Sequence, residues 1–325
     1  MMRKVLAFCL LFYAPLVAWA ESDAVDLMER MIQAGKELSY QGVFAYQTGR
    51  TLQSVQIYHR NDAEGEIERL MSLNGEAREV LRSNDMVTCI NPAGKQINIS
   101  RRPLGRGFPS DLPRRLGSAT PYYEVTLGDE ERVAGRMTQE LSIEPIDEYR
   151  YGYRLWVDKE TNLLLKSELL ASDGDVLETF AFSSIETDTY ISDDDLKPQI
   201  RGEEMTWHQS EPGKPSAISD NLISRWEADW LPDGFSLVAS QHRLKAKNGG
   251  LVEQRVYSDG LTSVSVFIEP MKAEHSHLQG NSHMGAVNAF GITIHSHFVT
   301  VVGEVPPVTV EKISAGIKFN LSDSL

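Results

Sequence analysis

Between Tyr149 and Glu186, apolar and polar positions alternate in three runs separated by two turn signals. Tyr149, Tyr151, Tyr153, Leu155 and Val157 share one parity, and Arg150, Gly152, Arg154 and Trp156 share the other. Successive side chains of a strand point to opposite faces, so this spacing predicts a strand with apolar residues on both sides. The polar turn Asp158 to Asn162 leads to a second strand, with Leu163, Leu165 and Leu169 on one face and Lys166 and Glu168 on the other. Asp173-Gly174 then turns into a third, where Val176, Phe180 and Phe182 alternate with Leu177, Thr179 and Ala181. Asp-Gly between alternating runs is a strong hairpin signal, so the stretch reads as an antiparallel meander.

The rest of the chain is arranged around it. Ser22 or Asp23 can cap a helix to about Leu38, in which Ala24, Met28, Met31, Gly35 and Leu38 recur at helical steps beside Val25 and Ile32. From Tyr40 the period changes to two, and short strands follow to Ser100 with Gly49, Gly65, Asn74-Gly75, Asn84-Asp85 and Pro92 to Gly94 at the joins. Such spacing predicts a strongly curved sheet or barrel. Strands resume at Tyr122 to Leu127 and, past Asp129-Glu130-Glu131, at Arg132 to Pro145. Residues 197–218 are rich in Pro, Gly and polar residues and read as a linker. Beyond it, Leu222, Ile223, Trp226 and Trp230 predict a short helix. Strands at Ser236 to His242, Leu251 to Ser258, Leu261 to Glu269 and His295 to Val302 follow, and a closing helix runs from about Val308 to Ile317. The fold class expected is α+β, mostly antiparallel, with residues 21–196 and 219–325 as two domains.

Residues 1–20 have a different character. Arg3 and Lys4 precede an apolar run from Val5 to Ala18, and Ala18-Trp19-Ala20 is a small-residue cleavage pattern, which together predict a secretory signal peptide. Removing it takes Arg3 and Lys4 from the 32 basic residues, leaving 30 against 46 acidic ones, a net charge of −16. A surface of that sign is repelled by nucleic acid as a whole, so an anionic ligand would need a local basic patch. Of the two cysteines, Cys9 leaves with the signal and Cys89 stays, in the strand-like Met86 to Ile90, where a buried small hydrophobe is expected. One cysteine gives no internal disulfide framework.

Candidate chemistry is sparse. Arg101, Arg102, Arg106, Arg114 and Arg115 stand in a Pro/Gly-rich stretch with Leu104 and Phe108 and a single acid, Asp111. Arginine forks suit phosphate, so this loop can close over an anionic amphiphile; a solvated connecting loop is the alternative. His275, His277, His283, His295 and His297 crowd one region, but no ligand spacing or H-E-x-x-H completes a metal site. No G-x-S-x-G, P-loop or G-x-G-x-x-G appears, and neither a cofactor nor enzymatic activity is expected.

Short motifs run in order over almost all of the length after the signal: Ser39-Tyr40-Gln41-Gly42, Glu68-Arg69-Leu70, Leu73-Asn74-Gly75, Val133-Ala134-Gly135-Arg136 and Tyr149-Arg150-Tyr151-Gly152-Tyr153. In the second domain they are Trp230-Leu231-Pro232-Asp233-Gly234-Phe235, Tyr257-Ser258-Asp259-Gly260-Leu261 and Val302-Gly303-Glu304-Val305-Pro306. In these motifs the chain resembles the RseB/MucB family of periplasmic regulators of the envelope-stress sigma factor. The resemblance implies an amino-terminal domain like the LolA/LolB lipoprotein carriers, an unclosed β-barrel around helices with an apolar cavity. It also implies a smaller domain that grips the periplasmic part of a transmembrane anti-sigma factor, shielding it from the first protease of the cascade until lipopolysaccharide or another acylated ligand releases it. On that reading Arg101, Arg102, Arg106, Phe108, Arg114 and Arg115 stand at a ligand mouth. Tyr151, Tyr153, Leu155, Phe180 and Phe182 face the cavity. Trp226, Trp230, Phe235, Tyr257 and Phe267 are nominated for the partner, because aromatic residues are enriched at hot spots. Homo-oligomerisation is left open. The competing reading is a periplasmic lipid or lipoprotein carrier without a signalling partner.

Overall fold

The computed structural model describes residues 17–83, 86–91, 96–101, 120–200, 206–209, 224–244, 251–271 and 279–320. Helix α1 (Val17–Glu37) begins one residue before the small-residue pattern Ala18-Trp19-Ala20, ahead of the expected cap. It buries Ala24, Leu27, Met28, Met31 and Ala34, a stripe at three- and four-residue steps, while Asp26, Glu29, Arg30, Gln33 and Lys36 stay exposed. Among the described residues no helix is long and apolar enough to cross a membrane.

The strands β1 (Tyr40–Thr48), β2 (Thr51–Asp62), β3 (Gly65–Ser72), β4 (Glu79–Ser83), β5 (Met86–Asn91) and β6 (Gln96–Arg101) form consecutive antiparallel hairpins. After them come β7 (Tyr123–Val133), β8 (Arg136–Pro145), β9 (Gly152–Asp158), β10 (Leu164–Leu170) and β11 (Val176–Thr187). Their order is β6-β5-β4-β3-β2-β1-β11-β10-β9-β8-β7, so the first and last strands of the domain, β1 and β11, meet in the middle. β12 (Thr206–Gln209) adds to the β6 edge in parallel, and among the described residues β12 and β7 end the sheet without pairing with each other. The sheet stays open, and α1 fills its apolar face with Tyr123, Val125, Leu141, Ile143, Leu155 and Val157.

The structure departs from the sequence reading at several positions. Ala134 and Gly135, at φ 49° and 83°, turn β7 into β8, so the expected strand from Arg132 to Pro145 is cut at its start. The acidic run Asp129-Glu130-Glu131 lies inside β7, where a bulge between Leu127 and Glu130 and an exposed edge position accommodate the charges. Tyr149 and Arg150 fall in the loop before β9. In β10 a bulge at Leu165 reverses the parity, placing Leu164, Ser167 and Leu169 opposite Val157, Leu155 and Tyr153. Leu163 and Leu165 therefore leave the face that Leu169 occupies and pack with Trp156, Phe180 and Phe182. Cys89 is only half-buried; burial still pushes its thiol pKa up, against the pull of Arg82 and Arg78.

The chain after β11 is strapped to the sheet. Arg60 on β2 donates to Ile191 O at 3.2 Å and Asp193 at 2.8 Å, and Arg69 on β3 donates to Asp195 O at 2.8 Å. Glu79 on β4 accepts from the backbone N–H groups of Gln199 and Ile200, each at 3.0 Å. Arg69 and Glu79, both fully buried, pair at 2.5 Å. The expected linker thus starts fixed to β4 and contributes β12, because its backbone donors find a carboxylate that is distant in sequence.

The second domain pairs β13 (Trp226–Ala228) with β20 (Ile317–Phe319), where the sequence predicted a helix around Trp226. Trp226 packs on Phe319 at 4.8 Å, a partner that local spacing cannot show; Leu222 and Ile223 lie outside the described residues. The main sheet runs β14 (Ser236–Leu244), β15 (Leu251–Ser258), β16 (Ser263–Pro270), β19 (His297–Gly303), β18 (Val287–Ile294), β17 (Gly280–Met284). Helix α2 (Pro307–Ala315) lays Val310 and Ile313 on Val264, Val266, Ile268, Val299 and Val301. Glu79→Ala should leave the Arg69 guanidinium buried without its partner and cost about 3–5 kcal/mol, read as a lower urea midpoint. Lys197→Ala, at an exposed ion pair, should leave that midpoint unchanged.

Candidate functional site

The loop from Ile146 to Tyr151, between β8 and β9, meets the second domain. Arg150 is fully buried there, and its Nε donates to Asp259 at 2.8 Å, while its terminal nitrogens donate to Asp147 and to Asp233 O. Its guanidinium carbon lies 4.8 Å from the Tyr122 ring centre and 5.1 Å from that of Phe235, one ring from each domain. Burial alone would lower the guanidinium pKa, but the Asp259 hydrogen bond and the charges of Asp147 and Asp259 carry it above its ordinary value. Asp259 reaches this position through its own turn, since its Oδ1 accepts from Leu261 N and Thr262 N and leaves Oδ2 for Arg150. Gly234, at φ +84°, has no Cβ to collide with the Tyr122 ring that covers it.

Contacts on both sides extend the joint. Thr309 Oγ1 donates to Tyr149 O at 2.9 Å, and Lys312 donates to the Tyr149 hydroxyl while standing 4.2 Å from the Trp230 ring centre. Asn288 Nδ2 donates to the Tyr151 hydroxyl and to Val305 O, each at 2.8 Å. Leu261 and Ala286, from the second domain, are buried in the same apolar cluster as α1 and the sheet. The two domains therefore share a core.

A second feature lies toward the other end of the strands. Gly35, Tyr40, Ile57, Leu163, Leu164, Phe180 and Phe182 line an apolar cavity whose interatomic space is about 320 Å³. That figure includes open solvent at the mouth; the space a water can occupy is about 10 Å³, room for about one. His59 backs it, stacked on Tyr40 at 4.8 Å, with Nδ1 2.8 Å from Leu38 O and Nε2 3.1 Å from Glu66.

The sequence matches the MucB/RseB N-terminal domain family over residues 23–200 and the MucB/RseB C-terminal domain family over residues 220–318. The chain belongs to the MucB/RseB family. It is 32% identical over 306 residues to the sigma factor AlgU regulatory protein MucB of Pseudomonas aeruginosa, covering 91% of each chain. It is 26% identical over 311 residues to the sigma-E factor regulatory protein RseB of Escherichia coli K12, covering 95% of this chain and 94% of that one. Among solved structures it is similar to MucB in complex with MucA(peri), with 30% identity and a TM-score of 0.71 over 92% of this chain and all of that one.

This MucB/RseB chain distributes its candidate residues unevenly. Phe180 and Phe182 line the cavity, whereas Tyr151, Tyr153 and Leu155 belong to the core shared with the second domain, so the five expected on one cavity wall separate into two clusters. Arg101 closes β6; its side chain and the residues Arg102, Arg106, Phe108, Arg114 and Arg115 lie outside the described residues. Trp226, Phe235 and Tyr257 are buried in the second domain's core, Trp230 packs at the joint on Tyr149, and Phe267 is half-buried on the face opposite Val264 and Val266. His283 is exposed on β17, and His297 Nδ1 contacts His295 O at 2.8 Å. His275 and His277 lie outside the described residues, among which no group of three metal-binding side chains converges. Sequence reasoning missed Arg150 and Asp259, although both stand inside the motifs that carry the family resemblance. Arg150→Met should leave Asp259 buried without its cation and weaken the joint by about 3–5 kcal/mol. Small-angle scattering should then report a larger radius of gyration, and the double replacement with Asp259→Leu should restore most of the compactness.

Proposed function

We propose that this chain is a periplasmic regulatory protein that binds the periplasmic part of a transmembrane anti-sigma factor. Bound there, it shields that segment from the first protease of the envelope-stress cascade, and an acylated envelope lipid such as lipopolysaccharide releases it. The observation that carries this reading is the similarity across both domains to MucB in complex with MucA(peri), at 30% identity over 92% of the chain. A second structure described as the complex of Pseudomonas aeruginosa MucA/MucB is similar at a TM-score of 0.72. The apolar cavity beside α1 supports the acyl part of the reading, since its lining is entirely carbon-rich apart from the Tyr40 hydroxyl. The shared core supports coupling, because a ligand shifts a conformational balance only by its difference in affinity for the two arrangements.

Titration of the purified chain with its organism's anti-sigma periplasmic segment tests this directly. Binding should be weakened at least about tenfold by saturating lipopolysaccharide, and the bound segment should resist site-1 cleavage. Absence of segment binding, with lipid still bound, would leave a lipid or lipoprotein carrier instead.

A further inference from the structure

Helix α1 takes part in two packings at once. Ala24, Leu27, Met28 and Met31 lie in the cluster that holds Tyr151, Tyr153 and Leu155 from the sheet and Leu261 and Ala286 from the second domain. Further along the same helix Gly35 lines the apolar cavity, and Leu164 belongs to both the cluster and the cavity wall. Ala24 and Gly35 are separated by about 16 Å of hydrogen-bonded helix, a stiff element at this length.

The cavity cannot admit an acyl chain in the docked arrangement, because its free space holds about one water. Some part of the lining has to give way. Tyr40, Ile57 and Phe180 sit on strands hydrogen-bonded to neighbours on both sides, so their backbones are held by ladders. Helix α1 belongs to no ladder. Its end is fixed by Leu38 O on the His59 ring, and among the described residues the rest of the helix meets the sheet and the second domain through side-chain packing, including packing in the cluster that Leu261 and Ala286 complete. Interiors are close-packed, so a shift that opens the cavity at Gly35 displaces the turns that pack in that cluster.

We infer that entry of an acyl chain into this cavity and docking of the second domain compete for helix α1. The inference rests on the reading of the cavity as an acyl site. By linkage, a closed joint lowers acyl affinity by the same factor by which a bound acyl chain favours the open one.

A reversible lock on the joint tests this. A Cβ at Gly285 would stand 2.6 Å from Thr48 Cγ2, which brings the two Cβ atoms within the roughly 3.5–4.5 Å of a disulfide. Thr48→Cys with Gly285→Cys, in a chain whose Cys9 and Cys89 are replaced by Ser, is compared oxidised and reduced. Strain from the positive φ of Gly285 is then present in both states. The probe is 11-(dansylamino)undecanoic acid, followed by fluorescence. The reduced chain should bind it at least about tenfold more tightly than the oxidised chain. Equal affinities, or binding by neither form, overturn the inference. Leu261→Ala in the chain without the cysteine pair supplies an independent variant, expected to raise probe affinity several-fold; an unchanged affinity also counts against it. Titration with the anti-sigma segment in parallel separates the two readings: a failure to bind the segment sinks the regulator, while a redox-dependent probe affinity keeps the competition for α1.

Discussion

The guanidinium of Arg150 has to be placed away from water, and much of the molecule's arrangement follows from how that charge is satisfied. Removing a cation from solvent costs several kcal/mol before any partner is counted. The cost is met by groups from separate parts of the chain: Asp147 beside it, Asp259 and the Asp233 carbonyl from the second domain, and the faces of Tyr122 and Phe235. An apolar patch tolerates sliding and rotation. A fork of directed donors does not, so the pair sets the geometry of docking more than it adds net stability. With the geometry fixed, Leu261 and Ala286 enter the first domain's core and pack in the same cluster as helix α1.

The open sheet solves its own problem of the same kind. Because its end strands do not pair with each other among the described residues, it has two edges to protect. One edge strand, β7, is bulged and acidic, which discourages pairing with another chain. The other is covered by β12, delivered by a segment that Arg60, Arg69 and Glu79 hold against β2, β3 and β4. The buried Arg69–Glu79 pair therefore does for the connecting segment what Arg150–Asp259 does for the joint. Both use a charge that would be costly alone to specify where a distant piece of backbone goes.

The alternation of apolar residues, the turn signals at Asn74-Gly75 and Asp173-Gly174, and the helical stripe from Ala24 to Met31 made the class of fold legible. They are local patterns, and local geometry follows from them. The misreadings occurred where a non-local partner or an irregularity decided the outcome. Trp226 has helical spacing with Trp230 but pairs as a strand because β20 is there to receive it. Leu163 and Leu165 were set beside Leu169 because a single bulged residue, which reverses every later side chain, leaves no mark in composition. Of the aromatic residues nominated for the partner, Trp226, Phe235 and Tyr257 are buried in the second domain's core, and a motif of apolar residues looks the same in sequence whether it faces a core, a neighbour domain or a ligand.

What the sequence determined by itself was the mostly antiparallel α+β class, most of the strand runs of the first domain and, through motifs kept in order, the MucB/RseB kinship; each depends on residues close together in the chain. Which charges would be buried, which strands would meet as β1 and β11 do, and that α1 would serve the cavity and the joint together were decided only by tertiary structure. The physical reason is that Arg150 and Asp259 are 109 positions apart. Their attraction acts only once two separately folded surfaces bring them out of water and within hydrogen-bonding distance.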